Sequence, residues 1–278
     1  MSSYLRPTDL DEALQALAAG GCTIIAGGTD FYPARVGKPV DEDVLDVTAI
    51  AGLRAIEDRG DHFHIGATAT WTDLVRADLP DWFHALKQAA REVGGVQIQN
   101  AGTIVGNVCN ASPAADGMPG LVALDATVLL GSVSGEREVP ILEFVLGNRK
   151  TARRPDEMVL GLRIPHCGAT AQSAFLKLGA RKYLVISIVM VSAVLESAGD
   201  GTVERIRIAV GSCSEVARRL PGLEAVLAGK PADGSLARLV TADHLAPLAP
   251  IGDVRGSADY RLDAALTLVR RAVDAVTA

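Results

Sequence analysis

The sequence predicts an α+β protein built of two packed domains. Three observations predict it. A chain of 278 residues is long for one ordinary core and suits two. Up to Pro165, short β-branched runs alternate with amphipathic helix signatures. After Pro165 three apolar runs follow one another as strands of a meander, and the remainder is helical. A boundary is therefore placed near residues 165–172.

The first unit opens as a small β-α-β element. Thr8 is a candidate cap with Asp11 at capping-box spacing, and Leu10, Ala13, Leu14, Leu17 and Ala18 form one apolar face stopped by Gly20-Gly21. Thr23–Ala26 is a strand signal ending in Gly27-Gly28, and Val44–Val47 is another. His62–Ala67 alternates as a strand, with His62 and His64 on one face, read as solvated rather than as a metal pair. Thr72 is a candidate cap of a helix through Arg76, and Asp81–Glu92 reads as a helix ending at Gly94-Gly95. Residues 97–119 read as a Gly- and Asn-rich region between the helix and strand signals. Strands are expected at Thr127–Leu130, Val139–Phe144 and Met158–Ile164. In the second unit they are expected at Ser173–Leu178, Ile186–Leu195 and Val203–Val210. Helices then centre on Leu223–Leu227, Leu236–Val240 and the stripe Leu262, Leu266, Val269, Val273 and Val276. Trp71 and Trp82 are expected in the core.

Composition narrows the function. With 49% hydrophobic and 22% charged residues the chain is a globular folder, not a disordered one. The net charge is −6 and no basic block stands out, so nucleic acid is not an expected partner. The most apolar stretch, Val185–Leu195, is about half of the ~20 residues a membrane span needs. The N-terminus lacks a basic region followed by an apolar one, so a cytoplasmic location is expected. Cys22, Cys109, Cys167 and Cys213 are widely spaced, without a C-x-x-C pair, so no iron–sulfur or zinc signature is present and no metal site is expected.

Two Gly-rich turns carry the chemistry. One is Ala26-Gly27-Gly28-Thr29-Asp30, directly after an apolar strand. The other is Gly102-Thr103-Ile104-Val105-Gly106-Asn107. Glycines let peptide N–H groups close in on a phosphate. Neither turn contains Lys or Arg, so dipoles and hydroxyls have to neutralise a bound pyrophosphate. Neither G-x-G-x-x-G nor a P-loop is present, which leaves a Rossmann site unsupported. Asp116, after Asn110-Ala111-Ser112-Pro113, is placed to accept hydrogen bonds from cofactor hydroxyls.

Together with Arg163-Ile164-Pro165, Phe175-Leu176-Lys177 and Asp253–Arg261, these runs cover the chain in order. The sequence resembles the FAD-binding (medium) subunits of the xanthine dehydrogenase and carbon monoxide dehydrogenase family, the molybdenum hydroxylases. The resemblance implies a vanillyl-alcohol-oxidase (PCMH) type FAD-binding domain over 1–168, in two α/β subdomains of about 1–55 and 56–168. It implies a C-terminal domain over 169–278 with a three-stranded antiparallel sheet and a helical bundle. FAD, bound non-covalently, would meet Ile25, Ala26, Gly27, Gly28, Thr29 and Asp30 in the first turn and Gly102, Thr103, Gly106 and Asn107 in the second. Asn110, Asp116, Val159 and Lys177 complete the implied contacts, and no catalytic residue is implied. The implied role is electron transfer. Electrons would come from a small partner subunit with two [2Fe-2S] clusters, fed by a large molybdopterin subunit, and leave to an external acceptor. Two departures stand out: Val105 replaces a Gly, and Gln99 sits where Arg is common. Tyr183 is a candidate neighbour of the flavin ring. A stand-alone flavin oxidase of the same fold and a flavin-free scaffold are the rival readings.

Overall fold

The computed structural model describes residues 2–278. The chain forms a mixed α/β structure in which three main sheets and their helices stack around two large apolar cores.

The first sheet is small and parallel. β1 (Tyr4–Leu5) and β2 (Cys22–Ile25) flank β3 (Asp43–Asp46), with Ile25 opposite Asp46. α1 (Leu10–Ala19) carries the chain from β1 to β2 past the position that β3 fills between them, burying Ala13, Leu14 and Leu17. Its cap is Asp9, not Thr8: the Asp9 carboxylate accepts from the N–H groups of Asp11 and Glu12. A carboxylate there also meets the positive end of the helix, an advantage a Thr hydroxyl lacks.

The second sheet is antiparallel. Its order is β4 (Ile56–Asp58), β5 (His62–Gly66), β10 (Met158–Pro165), β6 (Thr127–Ser132) and β7 (Gly135–Pro140). Between β5 and β6 the chain runs through α2 (Trp71–Arg76), α3 (His84–Glu92), α4 (Val96–Ala101), α5 (Ile104–Asn110) and α6 (Gly117–Ala123). The Gly- and Asn-rich region 97–119, which gives no helix signal, is thus largely helical. Its short helices hold only six or seven residues each, too few for a periodic stripe, and tertiary packing makes them. α2 is capped by Thr70 in a reciprocal box with Asp73, two residues before the expected Thr72. The run Val139–Phe144 divides: β7 ends at Pro140, which cannot continue the ladder as a donor, and α7 (Ile141–Phe144) follows. The hairpin of β8 (Val145–Gly147) and β9 (Lys150–Thr151) then leads to β10. His64 is buried rather than solvated, with no partner for its Nδ1. Trp71 and Trp82 are in the core, Trp82 stacked on Phe83 at 4.2 Å.

The third sheet is antiparallel: β11 (Gln172–Leu178), β12 (Val189–Ser197), β13 (Val203–Gly211) and a short fourth strand β14 (Arg218–Arg219) beyond the three expected. α8 (Pro221–Leu227) and the long α9 (Ala258–Ala275) pack on it, whereas Leu236–Leu239 is only a 3-10 turn. α3 and α6 of the preceding unit cover its other face, so this sheet is the shared layer of the molecule.

Two further contacts tie parts of the molecule together. The first is electrostatic. Arg207 of β13 is almost fully buried; it donates to Asp125, beyond α6, at 3.2 Å and to Glu196 of β12 at 2.7 Å. Asp125 also takes Arg205 at 2.6 Å and Arg219 at 2.7 Å. Removing one member of a buried pair strands its partners. Arg207→Leu is expected to destabilise the protein by about 3 kcal/mol in urea unfolding; an unchanged midpoint would remove this network from the stability account.

The second contact is steric. Gly27, in the turn after β2, lies against the backbone at the end of α4. A Cβ built on Gly27 would stand 1.9 Å from the Ala101 carbonyl oxygen and 2.9 Å from Gly102 Cα. Neither neighbour is a movable side chain. Gly27→Ala is expected to cost ~2 kcal/mol, in the range of overpacked sites, and to lower flavin content on purification. Wild-type melting temperature and wild-type flavin content in that variant would show that the two turns are free to separate.

Candidate functional site

The Gly27 contact places the two Gly-rich turns side by side, and a cavity of about 550 Å3 opens between them. That volume is typical of small-molecule sites. The β2 strand and its turn form one wall, from Ile25 and Ala26 through Gly27, Gly28, Thr29 and Asp30. Gly102, Thr103, Gly106, Asn107 and Asn110, from the start and end of α5, form the opposite wall. Val159 closes the cavity with its neighbour Met158. Every expected cofactor contact lines this cavity except Asp116 and Lys177.

The first wall is a row of free donors. Among the described residues, the N–H groups of Gly27, Gly28, Thr29 and Asp30 donate to no protein acceptor. Gly28 has φ +67°, a conformation that glycine adopts without strain. Unpaired peptide donors beside a cavity are costly unless water or a ligand accepts from them, and an anion accepts best. The second wall is the first turn of α5 rather than a loop. The Thr103 hydroxyl caps it, accepting from the Gly106 N–H at 2.9 Å. Gly106 itself faces that hydroxyl: a Cβ there would come within 2.7 Å of Thr103 Oγ1. Asn107 accepts from the Gly117 N–H at 3.3 Å through its Oδ1, which leaves its amide nitrogen for another partner. These features fit the diphosphate and sugar of a dinucleotide such as FAD.

Asp116 and Lys177 meet each other instead. Lys177 Nζ lies 2.7 Å from the Asp116 carboxylate and 3.2 Å from the Glu92 carbonyl, and the Ser187 hydroxyl donates to Asp116 at 2.5 Å. Both side chains are buried. Burial pushes the Asp116 carboxyl up, against the Lys177 ammonium and the two hydrogen bonds. The pair sits one layer behind the cavity: the adjoining Gly117 abuts Trp71 and Asn107, both of which line it.

Other expectations resolve as follows. Gln99 makes no ionic contact; its amide caps α3 by donating to the Arg91 and Val93 carbonyls at 3.1 Å. Val105 is buried and lines the cavity. Tyr183 is exposed and outside the lining. Sequence reasoning missed Arg35, Arg153 and Cys109. Arg35 lies over the Phe31 ring at 3.7 Å and is paired with Glu42. Burial pushes the Cys109 thiol up to about 11. No motif marks these three; only the closure of the sheets brings them to the cavity.

Comparison with known proteins agrees with this geometry. Residues 1–167 match the family described as the FAD binding domain in molybdopterin dehydrogenase, and residues 174–276 match the CO dehydrogenase flavoprotein C-terminal domain. The chain is 38% identical over 173 residues to the nicotinate dehydrogenase FAD-subunit of Eubacterium barkeri, a match spanning 60% of this chain and 58% of that one. It is 30% identical to the carbon monoxide dehydrogenase medium chain of Hydrogenophaga pseudoflava, over 99% of this chain and 96% of that one. The solved structure of reconstituted CO dehydrogenase from Oligotropha carboxidovorans contains a chain that superposes with a TM-score of 0.91 at 27% identity, covering 100% of this chain and 98% of that one. With two matching domains in order, and unpaired peptide donors on residues that line the cavity, this chain belongs to the family of FAD-binding medium subunits of the molybdopterin dehydrogenases.

Proposed function

We propose that this chain is the electron-transfer subunit of a molybdenum hydroxylase, positioned between [2Fe-2S] clusters on a small partner subunit and an external electron acceptor. A large partner subunit would hold the molybdopterin and oxidise the substrate. The observation that carries the reading is one cavity lined both by Gly27 to Asp30, whose N–H groups are unpaired among the described residues, and by the capped first turn of α5.

When bound, FAD supplies a carrier that accepts and releases electrons singly or in pairs. In this reading the chain's own residues do the holding. The peptide donors of Gly27, Gly28 and Thr29 grip the diphosphate, with Thr103, Gly106 and Asn107 opposing them. Ile25, Ala26, Gly102 and Val159 confine the cofactor, and Asp30 and Asn110 border it. Asp116 and Lys177 act from the layer behind, as a brace for the wall at Trp71 and Asn107. The division into 1–168 and 169–278 is kept in this reading, with the cofactor contacts concentrated in the first part. The cytoplasm is the proposed compartment; the four cysteines stand free, which suits a reducing environment. Among the described residues no helix is long and apolar enough to cross a membrane.

The lining also bears on the rival oxidase. Its titratable side chains are Asp30, Arg35, Arg153, Cys22 and Cys109. Asp30 is bound to Arg149 at 2.7 Å, and the Cys109 thiol is held protonated by burial. A base placed to take a substrate proton is therefore missing from the cavity among the described residues.

The test is purification from the native host followed by anaerobic reduction. A yellow complex with a molybdopterin subunit and an iron–sulfur subunit is expected. Substrate should bleach the flavin in that complex and leave the isolated chain yellow. Substrate-driven bleaching and turnover by the isolated chain would replace this reading with a stand-alone oxidase. A colourless chain that does not take up added FAD would leave only a scaffold.

A further inference from the structure

Neither Gly-rich turn carries a cation, yet the diphosphate proposed for this cavity is a dianion. Its neutralisation has to come from elsewhere in the wall. Three arginines stand at or beside the cavity, and their partners differ. Arg35 is matched by Glu42. Arg149, held at φ +59° on the β8–β9 hairpin, is matched by Asp30 at 2.7 Å and also donates to Asn110. Arg153 lines the cavity and, among the described residues, has no carboxylate partner. Its Nη1 donates to two backbone carbonyls, of Arg154 at 3.0 Å and Glu157 at 2.6 Å. Among the described residues its Nε and Nη2 have no acceptor.

Those two carbonyl bonds aim the guanidinium without cancelling its charge. The loop that carries it is held by other groups. The buried Glu157 carboxylate accepts from Arg137 at 2.6 and 2.9 Å and from the Arg154 N–H at 2.7 Å, and Arg137 also binds the Ala152 carbonyl at 2.8 Å. Arg153 is thus presented by a rigid loop that does not need its charge. Its field reaches Cys109 on α5, where it favours the thiolate against the larger effect of burial.

We propose that Arg153 is a cofactor-binding residue of this chain: its free Nε and Nη2 edge donates to the diphosphate of FAD and supplies the positive charge that both Gly-rich turns lack. The proposal rests on the cavity being the flavin site. A guanidinium edge suits phosphate oxygens because it offers parallel donors as well as charge. Arg35 and Arg149 cannot take this part without abandoning Glu42 or Asp30.

The test is FAD rebinding to the full chain after flavin removal, in Arg153→Met and Arg153→Lys, at low and high salt. Arg153→Met is expected to bind FAD about ten- to a hundredfold more weakly than wild type, with a shallower salt dependence. Arg153→Lys should keep the wild-type salt dependence and recover only part of the affinity, since an ammonium supplies the charge without the parallel donors. The flavin midpoint potential at full loading should be unchanged, because the charge lies at the diphosphate. Unchanged affinity in Arg153→Met would overturn the proposal. So would equal weakening in both variants with the wild-type salt dependence, which would assign Arg153 to carbonyl bonding alone. A shifted potential would move the guanidinium to the ring and equally overturn it. Failure of wild-type chain to bind FAD would instead strike at the cavity reading.

Discussion

The site depends on one steric constraint: two stretches of backbone approach closer than any side chain permits. Gly27 lies against the Ala101 carbonyl and Gly102 Cα, so the turn that ends β2 and the turn that begins α5 face each other across one gap. The small parallel sheet presents the first turn, and the helices between β5 and β6 present the second. A Cβ at position 27 would push these units apart, and the opposing donors would no longer share a ligand. The shared third sheet carries the same demand for registry outward, since α3 and α6 pack on one of its faces and α9 on the other. The buried Arg207 network then fixes the end of α6 to that sheet.

Electrostatics follows from this geometry. A buried dianion is tolerable only where donors and charge are already in place. The peptide row supplies donors, the capped turn of α5 adds its dipole, and cationic charge stands on the loop between β9 and β10 rather than in the turns. Lys177, the cation that family resemblance puts near the flavin, is matched by Asp116 and Ser187 within the wall. A matched pair contributes a dipole rather than a net charge, so its influence on the cavity falls off faster than that of an isolated cation.

Much of the site was legible because glycine is an unusual demand. Gly27-Gly28 after a β-branched strand, and Gly102 with Gly106 around Thr103, mark backbone positions that cannot bear side chains, and both pairs line the cavity. What could not be read was the reason. Gly27 is required by Ala101, far off in sequence, and Gly106 by its own helix cap. The helices over 96–110 leave no sequence signal because each is too short for a periodic stripe. Asp116 and Lys177 were expected at the cofactor individually, but a pairing across 61 residues leaves no local trace. Arg153 is silent for the same reason: its meaning lies in the carboxylate it lacks. Cap positions differ by one or two residues because Thr8 and Asp9, or Thr70 and Thr72, are all cap-forming residue types, and the exact start of the helix decides between them.

The central claim is that FAD is held between the two turns by peptide donors with no other partner. Amide hydrogen exchange of the full chain with and without FAD measures this directly. The account predicts slowed exchange at Gly27, Gly28, Thr29 and Asp30 and across the first turn of α5 when FAD binds, with no comparable change in the third sheet. Saturating FAD that leaves the Gly27–Asp30 amides exchanging as fast as before, with protection appearing elsewhere, would contradict it.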